Sequence, residues 1–248
     1  MSPRASADLA ISRYEALGLR DQRAAFRAIQ QEALKRCARD GLFFLSFVRT
    51  RDEVDPEHSV KPFPIHLDYI RQLWTDITEH PKIVIAKSRQ MIVSWVACAF
   101  AVWSARRAPN QYVVLQTQNW PDATKLVSVA GGDKDAAYLG RCQFIERHLP
   151  HWLRVRTKEQ EGMLAYPDLG SVIEALPGGA DKIRGKVPSV AILDEFATHE
   201  EAWGEWTALA PLVQKAAKVI IISTPNGGEG NCFFHLYHGT PRSVPQSR

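Results

Sequence analysis

Ser189-Val190-Ala191-Ile192-Leu193-Asp194-Glu195 runs four aliphatic residues straight into two adjacent carboxylates. A short apolar run of this kind, bounded by polar residues, reads as a buried strand of a parallel sheet. Two acids at the C-terminal end of a buried strand are costly unless they serve a metal or a proton transfer. In a nucleotide hydrolase the first such acid orients Mg²⁺, commonly through a water, and the second polarises the attacking water. The plainer reading is a strand that ends in acids before a turn, and the neighbouring segments decide between the two.

Upstream, KIVIAK at 82–87 and QYVVLQT at 111–117 read as further strands, and downstream so does KVIIIST at 218–224. Helices are expected over 92–106, from about Asp122 onward, and around 200–216. Segment 139–180 is less regular, with strand pieces at Leu153–Arg156, Met163–Tyr166 and Ser171–Ala175. Strands alternating with helices predict an α/β fold with a mainly parallel central sheet flanked by helices. Residues 6–48 read as helical: apolar positions recur every three or four residues through DQRAAFRAIQQEALKRCARDGLFFLSF, with Asp21 as N-cap. Residues 49–62, polar and proline-containing, read as a loop. A helix over 65–79 would carry Leu67, Ile70, Leu73 and Ile77 on one face. The stretch after Gly239, TPRSVPQSR, is polar and expected to be a flexible tail over 241–248.

Composition bounds the function classes. The chain has 248 residues, 45% hydrophobic and 23% charged, with a formal net charge of +4. Nothing approaches eighteen uninterrupted apolar residues, so no transmembrane helix and no membrane partner are expected. The start, MSPRASADLA, lacks the apolar run of a secretory signal, which points to a cytoplasmic protein. The charge permits contact with DNA without arguing for it. Cys37, Cys98, Cys142 and Cys232 are too scattered for a zinc knuckle and read as reduced structural thiols. His148 with His151, and His235 with His238, have i,i+3 spacing but no carboxylate or cysteine beside them at ligand spacing, so metal binding is not expected there.

The strand at 82–87 leads into Lys87-Ser88-Arg89-Gln90-Met91-Ile92-Val93-Ser94 and then a helix. A strand, a tight loop and a helix N-terminus make an anion site, because free backbone N–H groups and the helix dipole point at a phosphate. The ordinary phosphate loop is G-x-x-x-x-G-K-[ST]. This one has no glycine, places Val93 where the lysine stands, keeps Ser94 at the hydroxyl position, and carries its only lysine at the front, Lys87.

KSRQMIVSW resembles the deviant Walker A motif of viral terminase large subunits, in which S-R-Q is common and some members carry the lysine at the loop's start. The resemblance implies an ATP site formed by Lys87, Ser88, Arg89, Gln90, Met91, Ile92, Val93 and Ser94. In it Lys87 contacts phosphate, Arg89 is the arginine of the loop, and the Ser94 hydroxyl meets Mg²⁺. AILDEF is similar to the family's Walker B strand, which implies Asp194 for Mg²⁺ and Glu195 as catalytic carboxylate. IIISTPNG at 220–227 is similar to the coupling motif, with Ser223 and Thr224 as sensors of the γ-phosphate. Phe63-Pro64-Ile65-His66 resembles the adenine-binding segment, although Gln is more usual where His66 stands. A buried Phe and a helix-start His are the alternative. Arg184, ten residues before Asp194, stands where the family has an arginine finger reaching a neighbouring subunit's nucleotide. A solvated basic loop of Lys182, Arg184 and Lys186 is the alternative.

The resemblance covers about residues 63–240. It implies a P-loop NTPase fold of the ASCE type, with a helical segment or lid at 1–61 and the ATPase domain at 62–240. The function implied is ATP hydrolysis with Mg²⁺ that drives double-stranded DNA packaging into a procapsid. The implied partners are double-stranded DNA, a portal protein, a terminase small subunit and further copies of the chain in a homo-oligomeric ring, although the domain alone could be monomeric. About twenty residues follow the coupling motif, too few for the family's nuclease domain, so DNA cleavage is not expected. Arg141, Arg147, Arg154, Arg156 and Lys158 could meet DNA phosphates, the next subunit or only water. The seven tryptophans read as core or interface residues rather than base-stacking platforms. Two other functions compete: an inactive or truncated prophage remnant kept as a nucleotide-binding or assembly module, and a helicase-like DNA translocase, for whose second motor domain the chain has no room.

Overall fold

A computed structural model describes residues 19–52, 60–89, 91–130, 139–214, 217–226 and 228–239. Its centre is a seven-stranded sheet. In chain order the strands are β3 (Lys82–Ala86), β4 (Tyr112–Thr117), β5 (Lys158–Gln160), β6 (Met163–Tyr166), β7 (Ser171–Pro177), β8 (Val190–Leu193) and β9 (Lys218–Ser223). The spatial order is β3-β9-β8-β4-β7-β6-β5. The run from β3 to β7 is parallel, and β6 and β5 extend it antiparallel. Residues 161–162 and 167–170 join these last strands, and links so short allow only antiparallel neighbours.

Alternation along the strands explains why the central ones read as unbroken apolar runs. Val113, Leu115, Val190, Ile192, Ile220 and Ile222 point into one core, whereas Val114, Ala191, Leu193, Val219 and Ile221 point into the other. Both faces are covered, as a parallel sheet requires. On the first face lie α3 (Asp68–Glu79), α4 (Val93–Arg107) and α6 (Arg141–His148); on the second lie α8 (Ala202–Gln214) and α9 (Cys232–His238). Helix α4 buries Val93 and everything from Trp95 to Ala105, and is accordingly apolar all round. Two shorter helices, α5 (Trp120–Leu126) and α7 (Ala180–Ile183), follow β4 and β7. Trp74, Trp95 and Trp103 are core residues, whereas Trp120 is exposed. Among the described residues no helix is long and apolar enough to cross a membrane.

Several expectations need correction. The helix expected over 6–48 is, in its described part, two: α1 (Leu19–Arg39) and α2 (Gly41–Leu45). Asp40 breaks it with extended backbone, and its carboxylate accepts the Phe43 N–H at 2.9 Å, a local bond that competes with helix continuation. Asp21 lies inside α1 rather than at its cap, and residues 6–18 fall outside the described set. The expected loop at 49–62 contains an antiparallel ribbon, β1 (Arg49–Arg51) with β2 (Val60–Pro62). Its charged side chains concealed it, since no apolar alternation marks either strand. Leu153–Arg156 is not a strand. Leu153 ends a 3₁₀ turn that starts at His151, and the strand comes later, at β5. Helices α6 and α9 were not anticipated. The expected tail at 241–248 lies outside the described residues.

His148 and His151 do not share a helix face: one ends α6 with its ring nitrogen on the Phe144 carbonyl, and the other opens the 3₁₀ turn. His235 and His238 both lie on α9, and among the described residues no cluster of metal-ligating side chains occurs.

Candidate active site

Three parallel strands deliver their C-terminal ends to one place. β9 lies between β3 and β8, with Ala86 beside Ser223 and Leu193 beside Ile221. The Lys87 N–H donates to the Ser223 carbonyl at 2.9 Å, and the Asp194 N–H to the Gln116 carbonyl at 2.9 Å, so the ladder carries past each strand end. Open α/β sheets bind ligands outside these ends.

Lys87 and Glu195 form an ion pair of 2.6 Å, with the lysine side chain 9% and the glutamate side chain 44% exposed. Asp194 is buried beside them. Burial pushes its carboxyl above the ordinary value, while the Ser94 hydroxyl and the Lys87 charge pull the other way. One Asp194 oxygen also accepts the Glu195 N–H at 3.0 Å. Glu195 itself sits at φ 54°, ψ 36°, and Ile92, which precedes α4, at φ 59°. Left-handed backbone is uncommon for Glu and a true outlier for β-branched Ile. Such strain gathers where surroundings over-determine a functional geometry.

A cleft of about 550 Å³ opens at this point, lined in part by Lys87, Met91, Ile92, Val93, Ser94, Trp95 and Glu195. Arg141 and the ribbon residues Thr50, Arg51, Asp52, Lys61 and Pro62, with Pro64, complete it. Lys87, Ser94 and Glu195, from separate stretches of sequence, thus line one cleft, and Asp194 lies buried next to Glu195.

Other candidates lie elsewhere. Ser88 and Arg89 are exposed and do not line the cleft, and Gln90 falls outside the described residues. Phe63 is a core residue and His66 an exposed one; Pro64 between them faces the cleft. Ser223 is buried, its hydroxyl accepting the Ala197 N–H at 3.0 Å and donating to the Thr224 carbonyl at 3.0 Å. It ties the turn after β8 to the end of β9, while the half-buried Thr224 is outside the cleft lining. Gly227 of the same motif is outside the described residues. Arg184 is 67% exposed and pairs with Asp181 at 2.7 Å.

Two residues that sequence reasoning passed over brace the site from behind. The His199 ring, fully buried, meets the Asp194 carbonyl through Nε2 at 3.0 Å and Glu205 through Nδ1 at 2.7 Å. A carbonyl oxygen can only accept, so Nε2 carries a proton. Glu205 also accepts the Gly179 N–H at 2.5 Å. The end of β8 is thus fastened to the turn that leads into α7 and Arg184. A lone His and Glu in a helical stretch carry no sequence signal of this. Arg141 and the ribbon residues Thr50, Arg51, Asp52, Lys61 and Pro62 line the cleft unmarked in sequence, since each sits in a stretch of polar or basic residues.

No protein-family model matches the chain, and no curated protein matches it. Among solved structures, the ATPase domain of the Thermus phage P74-26 large terminase is similar at TM-score 0.48 and 19% identity, over 73% of this chain and 79% of that one. The large terminase of bacteriophage HK97 is similar at TM-score 0.51 and 14% identity, over 75% of this chain and 37% of that one. The chain thus spans little more than a third of the HK97 protein. The second likeness is one of fold: an α/β domain whose mixed, mostly parallel sheet is flanked by helices.

Proposed function

We propose that this chain is an ATPase motor domain of the terminase large-subunit kind, hydrolysing ATP with Mg²⁺ in the cleft between Lys87–Ser94 and Asp194–Glu195. The observation that carries the reading is the convergence of a lysine, a hydroxyl and two carboxylates at adjacent parallel strand ends, beside a cleft large enough for a nucleotide.

Lys87 supplies a compact positive charge for a phosphate oxygen, and in the free chain Glu195 holds that charge. Phosphate competes with Glu195 for Lys87, which frees the half-exposed carboxylate to take a proton from water. Ser94 and Asp194 fit a hard divalent cation: the hydroxyl acts on the carboxyl of Asp194, and Mg²⁺ takes few protein ligands and keeps several waters. When bound, the cation would neutralise charge developing on the phosphates. His199 holds the strand end that carries both acids.

The larger role, packaging of double-stranded DNA into a procapsid with portal protein, small subunit and a homo-oligomeric ring, belongs to the same proposal and rests on the motif resemblance. The second reading, a nucleotide-binding module without turnover, is favoured by the glycine-free loop and the Lys87–Glu195 pair. Mg²⁺-dependent ATP hydrolysis by the purified chain, beside Lys87→Ala, separates them. Turnover that Lys87→Ala abolishes supports the motor; nucleotide binding without turnover at any concentration supports the module. Absence of nucleotide binding in the parent chain overturns both.

A further inference from the structure

The proposed ATP site uses one cation, Lys87. Three more line the cleft: Lys61, which pairs with Asp52 at 2.6 Å, Arg51, which donates to the Leu139 carbonyl at 3.5 Å, and Arg141. Arg141 is the first residue of α6, and it lines the cleft together with Lys87, Ser94, Trp95 and Glu195. Its guanidinium carbon lies 5.7 Å from the centroid of the Trp95 ring, next to the hydroxyl-bearing Ser94. Its Nε is buried and has no hydrogen-bond acceptor among the described residues. Its charge is felt by the Asp194 carboxyl.

The root of this arginine is tightly held. The Gly140 N–H donates to Gln143 Oε1 at 3.2 Å, and the Gln143 N–H to the Val127 carbonyl at 3.0 Å. A Cβ at Gly140 would stand 2.6 Å from the backbone of Val127 and Ser128, so the chain approaches there as closely as only glycine allows. The nearby cations are otherwise engaged. Arg147 pairs with Glu159 at 2.6 Å, Arg156 with Asp168 at 2.5 Å, and Arg154 Nε donates to the Leu149 carbonyl at 2.7 Å.

A guanidinium is a planar fork of five donors suited to two oxygens of one phosphate. A buried donor left without an acceptor is unfavourable, and an anion in the cleft would relieve it. We infer that Arg141 binds the terminal phosphate of the nucleotide in cis, from the first turn of α6, and so makes the cleft prefer a nucleoside triphosphate over a diphosphate. This inference rests on the ATPase reading, which places the terminal phosphate beside Asp194 and Glu195.

The test is the affinity for Mg²⁺-ATPγS and for Mg²⁺-ADP, measured by calorimetry on dilute monomeric protein. The samples are the parent chain, Lys87→Ala, Arg141→Gln and Arg141→Lys, each checked for an intact thermal melt. Arg141→Gln is expected to weaken ATPγS on the order of tenfold or more, with ADP within about twofold. Arg141→Lys, which keeps the charge but not the fork, should recover only part of the loss. Equal weakening of both nucleotides by Arg141→Gln, or of neither, while Lys87→Ala weakens both, overturns the assignment and leaves the ATPase reading in place. If the parent chain binds neither nucleotide, the ATPase reading falls and takes the Arg141 assignment with it.

Discussion

Glu195 combines three features: a left-handed backbone, an ion pair with Lys87, and a carboxylate open to solvent on one side. A left-handed Glu costs about 1–3 kcal/mol and persists only where its surroundings insist on it. Here the Asp194 carboxylate takes its N–H, while its carbonyl accepts the Thr198 N–H at 2.9 Å and the Thr198 hydroxyl at 2.7 Å. Replacing Glu195 with Gln should lower ATP turnover by about 10²–10⁴-fold, the usual contribution of a positioned base. Nucleotide affinity should hold or improve, because Lys87 is released from its anionic partner; loss of binding alongside turnover would count against the base role.

Asp194 links the site to stability. Burial is the largest influence on its carboxyl and raises the pKa above 3.8, more than Ser94 and Lys87 lower it. The folded chain therefore holds this proton more tightly than the unfolded one. Stability from this group is lost as pH rises from near 3.8 through the raised folded value, and stays lost at neutral pH. Asp194→Asn keeps the shape and removes the buried charge. Calorimetric scans from pH 4 to 8 should show it melting above the parent at pH 7–8, by about 2–4 °C per kcal/mol regained, with hydrolysis gone. A melting point below the parent's at neutral pH would mean that the charge is compensated in the fold.

Among the elements, α6 is set by its first turn rather than by its propensity. Gly140 packs its Cα against the Val127–Ser128 backbone, and Gln143 closes the turn. Gly140→Ala should therefore destabilise the chain by about 1–3 kcal/mol, the range for overpacking, at an N-cap where alanine is in any case the poorer residue. Urea denaturation measures this directly, and an unchanged midpoint would show that Val127 and Ser128 can yield. The ribbon of β1 and β2 depends on the same neighbourhood: Arg51 lies 5.9 Å from the Phe144 ring of α6, and Lys61 pairs with Asp52 at 2.6 Å. Arg141 of α6 and the ribbon thus line the same cleft as Lys87 and Met91–Trp95.

Viewed as one body, the chain carries its basic turn away from its own cleft. Arg184 points to solvent with Asp181 as partner, and His199 and Glu205 connect that turn to the end of β8. An exposed arginine on a braced loop suits contact with a second copy's nucleotide. Arg184→Ala should therefore leave dilute monomer unchanged and lower turnover per chain by roughly a thousandfold where copies assemble, the scale of a finger supplied in trans. Turnover followed against protein concentration, with light scattering for assembly, decides it. An equal loss in strictly monomeric protein would remove the in-trans role.

Much of this architecture can be read without coordinates, because burial on both faces of a parallel sheet demands aliphatic side chains whatever the neighbours are. That requirement marks β3, β4, β8 and β9 in the sequence as runs such as Ala191-Ile192-Leu193, and the polar residues that end them stand out by contrast. Lys87, Asp194 and Glu195 stand out for that reason, whereas Ser94 stands out only by its place in the loop-to-helix pattern. The ribbon at 49–62 and the break at Asp40 are not, since charged strands lack a period and a single side-chain bond can outweigh helical periodicity. Nor can a string of arginines show that Arg141 turns inward while Arg147 and Arg156 find acids, or that Phe63 packs in the core while Pro64 meets the cleft. Local composition reports whether a segment is buried. The pairing of β9 with β3 and the meeting of Lys87 with Glu195 come from contacts between segments more than a hundred residues apart, and long-range packing alone sets those.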